Sequence, residues 1–83
     1  MTDLQYRVLK ALADQTLASI DLADRIGKPE HLTRVTARHC EALGYVMHFD
    51  DGTNDTRRHA ILMSGKAALA AERARRERKG IPL

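Results

Sequence analysis

The hydrophobic period of this sequence changes at Gly44, and that change limits the folds open to the chain. Before Gly44, apolar residues recur every three or four positions, the spacing of one helical face. Residues 45–49 are instead rich in β-branched and aromatic side chains, and residues 50–55 form a dense cluster of turn formers. Residues 57–62 can return as a second strand. Because a two-stranded hairpin alone is marginal in water, it has to pack against the helices.

Two short helices are predicted in the N-terminal part of the chain. Thr2 can cap the first, over residues 3–13. Its apolar face consists of Leu4, Val8, Ala11 and Leu12. Residues 17 and 18 form a short extended link, after which Ser19 caps a very short second helix. We expect Ile20, Ala23 and Ile26 to point inward from that helix. Gly27 is placed to end it in a left-handed conformation.

A third helix is predicted over residues 29–43, with Pro29 at its first position, where the missing N–H costs nothing. Its buried stripe is expected to consist of Leu32, Val35, Thr36, Cys40 and Leu43. The opposite face would then carry Glu30, His31, Arg34, Ala37, Arg38 and Glu41. A last helix begins at Ser64 and is rich in alanine through Ala74. We therefore expect one domain over residues 1–74 and a basic, frayed tail over residues 75–83.

Charge is distributed unevenly along the 83 residues, which carry a net charge of +3. Up to Ala71 there are nine basic and nine acidic residues, so residues 72–83 hold the whole excess. This is modest support for an anionic partner such as nucleic acid. The chain shows no signal peptide and no apolar run long enough to span a bilayer, so we expect a cytoplasmic protein without a membrane partner.

The sequence offers no recognisable catalytic or metal-binding set. The four histidines and the single cysteine show neither HExxH nor CxxC spacing. There is no glycine-rich phosphate loop, no nucleophile elbow and no pair of carboxylates suited to acid–base chemistry. A domain this small also has little room for a deep cleft. We expect no metal, no cofactor and no enzymatic activity.

The predicted order of elements, α-α-α-β-β-α, is the layout of a winged helix-turn-helix, a mainly α fold with a small β-hairpin. The sequence resembles the MarR-like branch of that superfamily in three places. Residues 19–27 are similar to the family's second helix and turn, and residues 39–46 to the exit from its recognition helix. Asp55-Thr56-Arg57, followed by Ile61 and Met63-Ser64, lines up with its wing pattern. The chain offers no counterpart to the family's long dimerisation helices.

The resemblance implies that the third helix enters the major groove of DNA, where its N-terminal half would meet base edges. Candidate contacts on this helix are His31, Thr33, Arg34 and Arg38, and the Arg34 guanidinium can donate two hydrogen bonds to a guanine. Candidate contacts in the hairpin, or wing, are Arg57 and Arg58. The resemblance further implies that Asp55 orients Arg57 through an ion pair. The alternative for both groups is a solvated surface whose acidic neighbours cancel the basic charge.

Two functions from different classes follow. The first is sequence-specific binding of double-stranded DNA by a small transcriptional regulator of bacterial or phage origin, with a homodimer as the form expected on DNA. The second is a winged-helix module that binds a protein partner, as some phage or mobile-element inhibitors of the anti-CRISPR type do. The neutral first 71 residues and the acidic turn favour the second, and the fold alone does not separate the two.

Overall fold

A computed structural model describes residues 1–50, 52 and 57–83 of the chain. Its elements in chain order are α1 (Asp3–Ala11), β1 (Leu17–Ala18), α2 (Ser19–Ile26), α3 (Glu30–Ala42), β2 (Val46–Asp50), β3 (Arg57–Ile61) and α4 (Met63–Lys79). The mainly α fold with a small antiparallel sheet is confirmed. The Asp55 ion pair implied by the resemblance lies outside the described residues.

Helix α1 forms the centre of the core. Thr2 and Gln5 make a capping box, in which the Thr2 hydroxyl accepts from the Gln5 N–H and the Gln5 side chain accepts from the Thr2 N–H. The helix then buries one face against the other elements. The buried core consists of Tyr6, Val8, Leu9, Leu12, Leu22, Ile26, Cys40, Val46 and Leu69. Every helix and the first residue of β2 thus contribute to one core.

The sheet has three strands in the order β1-β3-β2, so the expectation of a two-stranded hairpin was incomplete. The extended link before α2 pairs antiparallel with β3, and Leu17 lies opposite His59. Its backbone satisfies hydrogen-bonding groups at an edge of the hairpin that would otherwise face solvent. This third strand also joins the wing to the start of α2.

The predicted buried stripe of α3 was correct for Thr36 and Cys40 and wrong for Leu32 and Leu43. Its buried residues are Thr33, Thr36, Ala37 and Cys40, whereas Leu32 is 41% and Leu43 54% exposed. The two threonines can be buried because their hydroxyls donate to carbonyl oxygens one turn earlier, at 3.0 Å for Thr33 and 2.8 Å for Thr36. Small side chains on this face let α3 pack against α1 and α2.

Helix α2 also differs from the prediction at its start. Ser19 is its first helical residue and Ala18 its N-cap, so Ser19 does not cap the helix. Ile20 is 64% exposed, while Leu22, Ala23 and Ile26 are buried. Gly27 ends the helix with a φ of 69°, as predicted, and the Lys28 N–H donates to the Ala23 carbonyl at 3.1 Å.

The last helix is longer than predicted at both ends. It begins after Leu62 and continues to Lys79, so residues 75–79 are helical rather than part of a separate tail. The physical reason is Arg76, which is 6% exposed and packs its guanidinium 3.9 Å from the centre of the Tyr6 ring. At the other end, a Cβ on Gly65 would lie 2.1 Å from the Tyr45 carbonyl oxygen. Only glycine permits this approach of α4 to the loop before β2.

Candidate nucleic-acid interface

Three basic side chains lie along the outer face of α3. His31, Arg34 and Arg38 are exposed and follow one another at i, i+3 and i+7, which places them on one side of the helix. This side points away from the buried threonines. Arg34 Nη2 is held 2.5 Å from Glu30 Oε1, one turn earlier, and its side chain remains 61% exposed. A ligand can therefore reach this guanidinium by displacing Glu30 from an ion pair that is itself exposed to solvent.

Thr33, a fourth predicted contact, lies elsewhere. Its side chain is completely buried, and its hydroxyl donates to the Pro29 carbonyl. It therefore stabilises the first turn of α3 from inside the core and cannot reach a groove. The error has the same cause as the misplaced stripe of α3, because the prediction put Leu32 and Val35 on the core face and Thr33 outside it.

The two predicted wing arginines point to opposite faces of the sheet. Arg57 is exposed and lies directly opposite Asp50 of β2. Arg58 is half-buried and lies opposite Phe49 on one side and Ala18 on the other. Because successive side chains of a strand alternate between faces, only Arg57 shares the face of the wing that is turned towards α3.

A polar cleft, here named the wing cleft, separates α3 from the wing and has a volume of about 710 Å³. It is lined by Ala18, Ser19, Ile20, Glu30, Arg34, Arg38, Glu41, Asp50, Arg57 and His59. Three arginines and three carboxylates thus line it. The structure brings together Arg34, Arg38 and Arg57 from two separate elements, as a common interface requires, and it leaves Arg58 and Thr33 outside.

His59 was not singled out from the sequence, yet it lies at the wing cleft and is 4% exposed. Its Nε2 is 2.8 Å from the Ser19 Oγ at the start of α2, and its Nδ1 has no hydrogen-bond partner among the described residues. Burial is the main cause that lowers the pKa of this imidazole below its ordinary value of 6.5. The only sequence signal was the alternation of the strand, which places positions 57, 59 and 61 on one face.

A second contact joins α3 to the wing. The carboxylate of Glu41 contacts the Nδ1 of His48 on β2. His48 in turn lies directly opposite His59 on the neighbouring strand. The recognition-helix candidate is therefore linked to the wing by side chains as well as by the loop at Gly44.

The described part of the chain shows neither a metal site nor a membrane span. No group of three or more His, Cys, Asp or Glu residues is arranged to hold a metal ion in residues 1–50, 52 and 57–83. Over the same residues, no helix has the length and hydrophobicity needed to cross a bilayer.

Comparison with known proteins finds similarity in structure only. No family model and no curated protein matches the sequence. The solved structure of the transcriptional regulator BldR from Sulfolobus solfataricus matches with a TM-score of 0.80 at 21% identity over 86% of this chain. MepR, a transcription regulator of a Staphylococcus aureus multidrug efflux pump, matches with a TM-score of 0.83 at 16% identity over 96% of this chain. Its complex with DNA gives 0.79 at 17% identity over 89%.

The chain spans only part of each of these proteins, namely 52% of BldR, 61% of MepR and 63% of MepR in the DNA complex. From its element order, its sheet and these matches, the chain has a MarR-like winged-helix fold.

Proposed function

We propose that this protein binds double-stranded DNA in a sequence-specific manner and acts as a transcriptional regulator. The observation that carries the proposal is the row of His31, Arg34 and Arg38 on the exposed face of α3, next to Arg57 of the wing. The major groove of B-DNA admits an α-helix, and arginine can donate two hydrogen bonds to a guanine there. The MepR–DNA complex among the structural matches supports the same reading of the fold.

The contacts divide into two kinds. Arg34 lies near the N-terminal end of α3, where a docked helix meets base edges, so it is assigned to base recognition. Arg38 lies one turn further on, and Arg57 extends from the wing, so both are assigned to phosphates. His31 precedes Arg34 by one turn and reaches either a base or a phosphate. Arg58 is assigned to the outer surface of the wing.

The proposed DNA-bound form is a homodimer. Met63, Ala67, Ala70 and Ala74 follow one another along one face of α4, and all four are exposed. A second copy could bury this strip, since small residues let helices approach closely. Sedimentation with and without duplex tests this part of the proposal, and a monomer on a single half-site would contradict it.

The test of function is a selection of duplexes from a random pool, followed by titration of the selected and a scrambled duplex. Specific binding predicts a preference of at least about 10³ for the selected duplex at physiological salt. Equal binding of both, at the level of about 10⁻⁶ M that is usual for non-specific contacts, would contradict the proposal. The balance of three arginines and three carboxylates in the wing cleft would then favour a protein partner.

A further inference from the structure

Two histidines of the wing lie side by side on the face of the sheet turned towards α3. His48 of β2 and His59 of β3 are direct cross-strand partners. His48 is contacted by Glu41 of α3, whereas His59 is almost fully buried at the wing cleft. One nitrogen of His59 is bound to Ser19 and the other has no partner among the described residues. The pair is thus placed next to the arginines proposed to meet DNA.

The charged groups that line the wing cleft beside His59 come from three elements. They are Glu30, Arg34, Arg38 and Glu41 of α3, Asp50 of β2 and Arg57 of β3. The ends of β1 and α2 add Ala18, Ser19 and Ile20, which do not titrate in this range. The fixed charges therefore balance. Any net positive charge that the cleft offers to a phosphate has to come from protonated histidine.

The pKa of His59 lies below its ordinary value of 6.5 in the free protein. Burial lowers its pKa most, the Glu41 carboxylate opposes this, and His48, Arg57 and Arg34 lower it further. A phosphate beside Arg57 would offset the charge of this arginine and favour the protonated imidazole. The Glu41 carboxylate also contacts Nδ1 of His48, the cross-strand partner of His59. Binding of the DNA phosphate and protonation of His59 therefore favour each other.

We propose that the wing cleft takes up one phosphate group of the DNA backbone together with a proton on the His48–His59 pair. This proposal rests on the DNA-binding function proposed above. Since the pair holds its proton more firmly in the complex than in the free protein, the added affinity is fully present at low pH. It is lost as the pH rises through the value at which the complex releases the proton. One proton taken up changes Kd about tenfold per pH unit within that window.

The experiment measures Kd for the selected duplex between about pH 6 and about pH 8, the range in which histidine titrates. The wild type should bind more tightly as the pH falls, approaching the slope of about tenfold per unit expected for one proton. His48→Gln and His59→Gln should flatten this slope. His39→Gln is the matched control, because His39 is an exposed histidine of α3 outside the cleft. Its slope should equal that of the wild type.

A second control separates the cleft from the helix face. His31 is a proposed DNA contact on α3 that does not line the wing cleft, so His31→Gln should weaken binding at every pH but keep most of the slope. A slope that is absent in the wild type, or that disappears with His31→Gln alone, would overturn the proposal while DNA binding itself stands. Failure of every duplex to bind at any pH would instead refute the proposed function, and this proposal with it.

Imidazole NMR keeps the test independent of how well His59→Gln folds. In the wild type, the His59 ring resonances should titrate at higher pH with duplex than without it. If the His59 resonances titrated at the same pH with and without duplex, the proposal would be overturned. Inorganic phosphate alone serves as the probe for a free-anion site. If it reproduced the shift caused by the duplex, the cleft would be a site for small anions, and coupling to the DNA backbone would be refuted.

Discussion

Arg34 and Arg57 reach the proposed duplex from different elements, and their loss should leave different signatures. Arg34→Ala should weaken binding to the selected duplex by about 1–3 kcal/mol and relax the preference at one base pair. Arg57→Ala should weaken binding to all duplexes and lower the log–log salt slope by about one. Titrations at two salt concentrations on selected and scrambled duplexes distinguish the two effects.

Arg25→Ala is the matched control for both arginine variants, because Arg25 is an exposed arginine of α2 that does not line the wing cleft. Its Kd and salt slope should stay close to those of the wild type. An equal loss in Arg25→Ala and Arg34→Ala would mean that binding depends on total charge. The assignment of Arg34 to base recognition would then be wrong.

Alanine variants of two leucines, one in α1 and one at the end of α3, test which faces of these helices are buried. Leu9 is fully buried in the core, whereas Leu43 at the end of α3 is 54% exposed. Leu9→Ala should lower the free energy of unfolding by about 2–5 kcal/mol, and Leu43→Ala by about 0.5 kcal/mol, as for a surface position. Urea unfolding of both variants measures this. A larger loss of unfolding free energy for Leu43→Ala would mean that Leu43 is buried, as the sequence predicted.

At the scale of elements, the C-terminal half of α4 is held by a buried ion pair rather than by apolar contacts. Glu72 and Arg76 have side chains that are each 7% exposed, and Arg76 Nε donates to Glu72 Oε2 at 3.0 Å. Arg75 also donates to this carboxylate. Hydrogen bonds from Arg75, together with those from Arg76, hold the pKa of Glu72 at about 2. Arg76 also packs on the Tyr6 ring and lies 3.5 Å from Asp3 Oδ1, which fixes the helix to α1 beyond its last buried leucine.

Arg76→Met should lower the melting temperature by about 5 °C or more, the scale expected for a lost interaction in a domain of this size. The variant loses the contact with Tyr6 and removes one of two cations from a buried carboxylate. Arg78→Met is the matched control, because Arg78 is an exposed arginine of the same helix. Thermal unfolding measures both. Equal melting temperatures for the two variants would mean that residues 75–79 do not stabilise the domain.

At the scale of the whole molecule, the wing cleft makes stability depend on pH. The pKa of His59 is lowered in the folded state, so the unfolded chain binds a proton first as the pH falls below about 6.5. The free energy of unfolding should therefore decrease from that pH downward until folded His59 is also protonated. Urea unfolding at several pH values measures this decrease, and His59→Gln should lack it.

The opposite result, greater stability at lower pH in the wild type, would contradict the burial of a neutral His59.

A second loss of stability at acid pH should follow from Glu72. Its pKa is lowered from 4.5 to about 2, so the stability that it contributes is present above the ordinary value and is lost as the pH falls towards about 2. Glu72→Gln should remove this phase and leave the His59 phase unchanged.

The sequence alone determined the order of the four helices and the two strands of the hairpin, because each depends on local signals. Helical spacing, Gly27, the change of period at Gly44 and the turn cluster after residue 49 are all readable within a few positions. Arg34, Arg38 and Arg57 were also found from the sequence, since a helix face and a strand pattern indicate which charged residues are exposed. Whether they bind DNA stays a prediction.

Only the tertiary structure decided which residues meet. Thr33 could be buried because its hydroxyl donates within the helix while its small side chain fits against neighbouring helices, and hydropathy alone favours the leucine beside it. The pairing of β1 with β3 brings Ser19 to His59 across 40 positions. Arg76 likewise reaches Tyr6 and Asp3 from the far end of the chain. Such contacts depend on packing between distant segments, which no local pattern in the sequence encodes.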